Sequence, residues 1–139
     1  MSLPRFVLAW AVEVIEHLRP LGEGGRILLV EHPERGWEFP GGRVEKDESP
    51  EVAMHRELFE ETGRSGRIIA WNTSYYDEGW VAAMVLDQSE APVNDPHVAR
   101  TSWWSTVPPM NSWNPQEFSD LGVWVEGLKG EGRHAGGPP

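Results

Sequence analysis

Glu57, Glu60 and Glu61 fall within one turn of a segment whose apolar residues recur at helical spacing. Like charges three and four residues apart repel on a helix surface by roughly 0.2–0.5 kcal/mol per pair, so stability alone does not select such a cluster. It makes sense if something positive sits among the three. Mg²⁺ takes oxygen ligands, keeps several waters, and is commonly held by one or two carboxylates together with substrate phosphates. The three glutamates therefore point to a bound divalent cation of this hard kind, against the plainer alternative of a solvated acidic helix face.

The flanking residues favour the first reading. From Gly42 the chain runs through five residues to Glu48, through seven more to Arg56, and then reads Glu57-Leu58-Phe59-Glu60-Glu61-Thr62-Gly63. A chance match at seven fixed positions of ordinary residue frequency is on the order of one in a million. The pattern resembles the signature of the Nudix hydrolase (MutT-like) family, departing only at Arg64, where the signature has an apolar residue. That departure touches packing rather than a ligand. The resemblance extends through "GRILLVEHPERGWEFPGGRVE" and to the later "WWSTVPP". The segment around "WEFPGG" further resembles the branch that holds the Gram-positive 8-oxo-dGTP diphosphatase and RNA pyrophosphohydrolase.

The resemblance implies an α/β fold, a mixed β-sheet sandwiched between helices. It implies Glu60 and Glu61 as principal metal ligands and Glu57 as ligand or general base. The Gly41 carbonyl or Glu45 adds contacts, and Arg56 pairs with Glu48. The implied activity is Mg²⁺-dependent cleavage of a nucleoside triphosphate, oxidised ones such as 8-oxo-dGTP among them, to the monophosphate and pyrophosphate. Capped or triphosphorylated RNA 5′ ends, nucleotide sugars and dinucleoside polyphosphates are alternative substrates. A non-catalytic nucleotide-binding module of the same family would usually have lost motif glutamates, and this chain keeps them all.

Stepping outward to the elements that must carry these residues, apolar runs over 6–15, 26–31, 68–76, 80–86 and 101–107 read as strands, separated by turn signals such as "PLGEGG", "HPERG" and "DEG". Two segments, 50–62 and 115–128, read as helices, each with a capping residue, Ser49 or Asn114, followed by proline. At 100° per residue Ala53, Glu57, Glu60 and Glu61 share one side of the first helix, with Val52, Met54, Leu58 and Phe59 over an arc opposite that is expected to pack. Residues 1–129 read as one domain and 130–139, "GEGRHAGGPP", as an unstructured tail in which His134 is idle.

The eight tryptophans invite a second reading, as platforms for a nucleobase. Trp10, Trp71, Trp80 and Trp124 sit in strand or helix periodicity and are expected to pack, whereas Trp37, Trp103, Trp104 and Trp113 lie in loops or near the late strand and are the candidates for base contact. The loop around Glu90, Asp95 and His97 offers a further ligand or base. His17, His32 and His55 show no metal or triad pattern and read as structural or surface residues. A net charge of −10 argues against a duplex nucleic acid partner. The absence of cysteine excludes disulfides, thiolate zinc sites and cysteine nucleophiles. No run suits a bilayer-spanning helix or a signal peptide, so a cytoplasmic chain without a membrane partner is expected. No pattern sets an oligomeric state.

Overall fold

The computed structural model describes residues 3–93, 95–98, 100–109 and 114–136, with 130–136 as backbone alone. Along the described chain run β1 (Phe6–Val12), a 3-10 turn (Ile15–His17), β2 (Ile27–His32), β3 (Gly36–Glu38), β4 (Gly41–Arg43), α1 (Pro50–Thr62), β5 (Arg64–Asn72), β6 (Gly79–Glu90), β7 (Arg100–Trp104) and α2 (Pro115–Gly136). One sheet has the order β4-β1-β6-β5 and a second the order β3-β2-β7. β1 and β6 pair in parallel, Phe6 with Gly79 through Val12 with Val85, and the remaining pairings are antiparallel.

The strand period of two divides the interior. Leu8, Trp10 and Val12 of β1 join Ile27 and Leu29 of β2 under Phe118, Leu121 and Val125 of α2. Val7, Ala9 and Ala11 join Leu28, Ala82 and Met84 under Ala53, Met54 and Leu58 of α1. The strands thus form a layer with one helix on each face, the mixed α/β arrangement expected. The layer is asymmetric. Under α2 the strands present mostly large side chains such as Trp10 and Ile27, and under α1 they mix Ala9, Ala11 and Ala82 with Val7, Leu28 and Met84, leaving room for that helix to lie close.

Local chemistry sets the helix ends. The Ser49 hydroxyl accepts from Val52 N at 3.1 Å and Pro50 fills the first turn, while Gly63 closes α1 at φ 70°, its N–H bonded to the Phe59 carbonyl. The buried Thr62 hydroxyl donates to Leu58 O at 2.7 Å and accepts from Arg64 N at 3.1 Å, turning the chain straight into β5. Asn114 and Glu117 form a reciprocal cap for α2, with Gln116 N on Asn114 Oδ1 at 2.9 Å and Asn114 N on Glu117 Oε2 at 2.8 Å.

Several expected boundaries shift, with β6 running on past residue 86 to Glu90 and β7 ending at Trp104 short of 107. β1 stops at Val12, and Val14 and Ile15 are 41% exposed around the 3-10 turn. The fifth strand spans 64–72 instead of 68–76, because Asn72 Oδ1 accepts from Ser74 N and Tyr75 N and bends the chain there. The second helix passes residue 128 and reaches Gly136, through the first residues of the expected tail. Glycine costs a helix about 1 kcal/mol without forbidding it, and the first proline comes only at 138. Residues 137–139 of that tail lie outside the described residues. Among the described residues no helix is long and apolar enough to cross a membrane.

Candidate active site

The side of α1 that carries the acids turns inward. Ala53, Met54, Leu58 and Thr62 are buried, and Glu57 and Glu61 continue the same stripe at the next helical positions. The grouping of Ala53 with Glu57 and Glu61 holds, but these three face the protein, while Glu60 stays exposed at the margin. Val52 and Phe59, expected to pack, are 56% and 48% exposed. The cause lies beneath the helix: the alanine face of β1 draws α1 down on its 53–54–58 side and brings the carboxylates over β4.

Two glycines make this approach workable. β4 pairs Gly41 with Leu8 and Gly42 with Val7. Gly41 has φ 153°, and a Cβ there would strike the Val7 carbonyl oxygen. Its N–H donates to Glu61 Oε1 at 2.7 Å. A Cβ on Gly42 would sit 2.5 Å from the Glu57 carboxylate carbon.

Arg56 organises the other flank. Its Nε and Nη2 form a fork on Glu48 at 2.7 and 2.9 Å, Nη1 reaches Glu57 at 2.9 Å, and Nη2 also donates to Arg43 O at 3.1 Å. Glu45 lies 3.3 Å from Nε and Glu60 3.5 Å from Nη1. This fork, aided by the Glu45 N–H, holds the Glu48 carboxyl down at about 2, and the same contacts raise Arg56 far above its ordinary range. The arginine is thus a permanent cation on this flank of the site and aims Glu57.

Beside these residues opens a cavity of about 690 Å³ lined by Glu57, Glu60 and Glu61, by Glu38 and Asp95, and by His32, Arg35, Arg43 and His97. Burial, and then the neighbouring Glu57, Asp95 and Glu38 charges, push the Glu61 carboxyl up to about 8 against the pull of the Gly41 N–H. Burial likewise raises Glu57 despite Arg56. Among the described residues no three such side chains are drawn together as a formed metal nest. Each carboxylate is instead held by its own partner, Glu57 by Arg56 and Glu61 by Gly41, while the Glu60 side chain is 49% exposed. A cluster of carboxylates with no thiolate beside it fits a hard cation such as Mg²⁺ or Mn²⁺.

The structure brings together Glu48, Arg56, Glu57, Glu60, Glu61 and Gly41, and it adds Asp95 and His97 from the later loop. Glu90 stays apart, 3.5 Å from Arg64 on the outer edge. Sequence reasoning missed Glu38, Arg35, Arg43 and His32. Glu38 stands inside the "WEFPGG" segment and is gripped by Arg35 at 2.8 and 3.1 Å. The His32 Nδ1 accepts from Glu34 N and Arg35 N at 3.1 and 3.2 Å, shaping the turn that presents them.

The tryptophan candidates lie elsewhere. Trp37 is 6% exposed in the α2-side core, edge-on to Trp104 at 5.2 Å with Arg100 over it at 5.3 Å. Trp103 carries Arg26 at 5.0 Å and Arg64 at 5.5 Å. Trp103 and Trp104 pair with Leu28 and Ile27, at the far end of β2 from His32. None of the three lines the carboxylate cavity. For Trp103 and Trp104 the reason is register, since β7 runs antiparallel to β2 and ends away from the cavity, whereas Trp37 sits on β3 near the cavity but belongs to the α2-side core while its neighbour Glu38 lines the cavity. Trp113 lies outside the described residues. Trp10 is fully buried, Trp71 and Trp80 meet edge-on at 5.6 Å, and Trp124 packs on the α2-side core, as expected.

A family model described as the NUDIX domain matches residues 14–126. The Bacillus subtilis (strain 168) protein named "Putative 8-oxo-dGTP diphosphatase YtkD" is 60% identical over 40 residues, covering 29% of this chain and 25% of that protein. An RNA pyrophosphohydrolase of Bartonella tribocorum is 37% identical over 73 residues, covering 48% of this chain and 42% of its own length. The match thus spans less than half of either curated relative. The crystal structure of a mutant of the Bacillus subtilis pyrophosphohydrolase BsRppH superposes with a TM-score of 0.64 at 23% identity, covering 95% of this chain and 85% of that one, a likeness of fold.

Proposed function

Because the chain belongs to the NUDIX domain family, we propose that it is a Mg²⁺- or Mn²⁺-dependent pyrophosphohydrolase that cleaves a nucleoside triphosphate to the monophosphate and pyrophosphate. The observation that carries this reading is the inward pair Glu57 and Glu61, half-buried beside Glu60 and Asp95 in one cavity where four carboxyl groups crowd together. Glu57, Glu60 and Glu61, with the Gly41 carbonyl, are the residues that would hold the cation. When bound, it would neutralise the phosphate oxygens and acidify water.

The chain's own groups account for the rest. Arg56 fixes the Glu57 carboxylate, and the Gly41 N–H fixes that of Glu61. A water oxygen bonds to a phosphorus within the polyphosphate, the bridging P–O bond breaks with its electron pair leaving on the departing phosphate group, and the water's proton passes to a carboxylate. Glu57 is the proposed acceptor, because a carboxyl raised by burial is a better base than an ordinary surface acid. Asp95, lining the same cavity, is the alternative. With no cysteine in the chain and no serine lining the cavity among the described residues, water is the nucleophile of this reading.

The relatives' names support 8-oxo-dGTP as the first substrate to try. The longer match to the Bartonella protein favours a second reading, a triphosphorylated RNA 5′ end. Hydrolysis in ¹⁸O-water, followed by mass spectrometry, is expected to place label in a single phosphate-bearing product. Label in the nucleoside, a trapped phospho-enzyme, or no cleavage of any triphosphate with either metal sinks the reading. Independently of turnover, millimolar Mg²⁺ or Mn²⁺ is expected to raise the melting temperature, and no rise would leave only a solvated acidic helix.

A further inference from the structure

With the three described tryptophan candidates away from the carboxylates, the aromatic side chain beside them is one the sequence assigned to the core. Phe59 is 48% exposed and sits on α1 immediately before Glu60. It lines a second cavity of about 500 Å³ together with Glu60, Pro92, Asp95, Pro96 and His97. Glu60, Asp95 and His97 line the carboxylate cavity as well, so the two hollows share a wall. Pocket volumes of roughly 300–1,000 Å³ are those that take small ligands.

The far wall is braced. Ala91 N donates to Gly63 O at 2.7 Å, tying the loop to the end of α1. His97 N donates to Asp95 Oδ1 at 2.8 Å and Val98 N to Asp95 O at 3.2 Å, a tight turn that holds Pro96 and His97 across from the phenyl ring. An aromatic face and two prolines supply flat apolar surface, and Asp95 and His97 supply polar groups along one margin. Among the described residues no arginine or lysine lines this hollow, which suits a neutral ring rather than further phosphate.

We propose that Phe59, with Pro92, Pro96 and His97, forms the subsite that receives the nucleobase of the substrate whose phosphates lie at Glu57, Glu60 and Glu61. The base stacks on the phenyl ring, and the shared wall joins it to the reacting phosphates. This rests on the pyrophosphohydrolase reading above. Stacking on an aromatic side chain contributes about 1–3 kcal/mol per base, equivalent to roughly 5- to 150-fold in KM.

The test compares Phe59→Ala and Phe59→Trp, with Val123→Ala on the exposed face of α2 as control. Steady-state hydrolysis is measured with nucleoside triphosphates and with inorganic tripolyphosphate. Phe59→Ala is expected to raise KM for the nucleotides within that range and leave tripolyphosphate unchanged, and Phe59→Trp to restore nucleotide KM. In parallel, ring-labelled phenylalanine NMR follows titration with α,β-methylene nucleoside triphosphates of each base. The Phe59 resonances, assigned by their absence in Phe59→Ala, are expected to move with nucleotide and stay still with tripolyphosphate. Nucleotide binding that leaves those resonances and KM unmoved overturns the subsite while the pyrophosphohydrolase stands. Failure of the wild-type protein to bind or cleave any nucleotide overturns both.

Discussion

An alanine at position 42 would place its methyl carbon 2.5 Å from the Glu57 carboxylate carbon and 2.6 Å from each of its oxygens, where ordinary contact begins at 3.4 Å. Something must yield, and the yielding group is the end of a flexible side chain rather than backbone. The Glu57 carboxylate has to retreat by roughly 1 Å, a misplacement of the size that costs on the order of 100-fold in rate. The retreat also strains the 2.9 Å bond from Arg56. Stability should hardly change, because position 42 is not in the left-handed region and Gly→Ala at a compatible site gains about 0.4–1 kcal/mol by restricting the unfolded chain. Gly41→Ala is the contrast. At φ 153°, with the Val7 carbonyl in the way, it combines backbone strain of about 1–3 kcal/mol with a clash that only the strand pairing can relieve. Pyrophosphate release and thermal melts on both variants separate the two effects: position 42 loses turnover at a near-native melting temperature, and position 41 loses the melting temperature. A folded Gly42→Ala protein with native kcat would refute the claim that this glycine makes room for Glu57.

Glu61→Gln keeps an acceptor for the Gly41 N–H and removes one charge. Turnover is expected to fall ~100-fold or more, as when a metal site loses a partner, and the Mn²⁺-induced rise in melting temperature to shrink, whereas normal turnover in a folded variant removes Glu61 from the site. For Glu48, a folded pKa held at about 2 against 4.5 means a contribution fully present above pH 4.5 and lost as pH falls toward 2. Melting temperature should therefore drop more steeply across that window in the wild type than in Glu48→Gln, and parallel curves would contradict the pairing with Arg56. Tyr76 donates to Glu117 Oε1 at 2.7 Å, pinning α2 to the turn before β6. Tyr76→Phe is expected to cost about 1–2 kcal/mol in urea unfolding with kcat unchanged, and a selective loss of kcat would mean α2 reaches the site.

What was legible in the sequence was what neighbouring residues decide. The limits of α1 follow from Ser49, Pro50 and Gly63, and the Gly42–Glu48–Arg56–Glu61 set is one local pattern, so its members meet as soon as the helix forms. Which way that helix faces was not local. It depends on alanines in β1 and β6, and a wheel drawn for α1 alone cannot see them. The opposite wall of the cavity comes from the His32–Glu38 turn and the Asp95–His97 loop, segments joined to α1 only by the tertiary fold. Trp37 shows the limit of composition: its place beside the "FPGG" loop makes it a candidate for base contact, and it takes the ring of Trp104 and its burial in the core to show that it packs. The start of β5 was hidden because Arg64, Ser65, Gly66 and Arg67 are polar or small, while the pairing with β6 that makes them a strand lies some twenty residues on.

The alanine floor beneath α1 has a consequence for how variants of this chain would score in a mutational screen. Ala9, Ala11 and Ala82 share one core cluster with Ala53, Met54 and Leu58 of the helix, so their size bears on the height at which it rides and carries its carboxylates relative to Gly41 and Gly42. A valine or leucine introduced at one of them lifts all three acids in concert. Such substitutions should lose function before they lose abundance, mimicking lesions of the reaction centre. Their suppressors should be truncations on the helix, such as Met54→Ala or Leu58→Val, which return the height and not the chemistry.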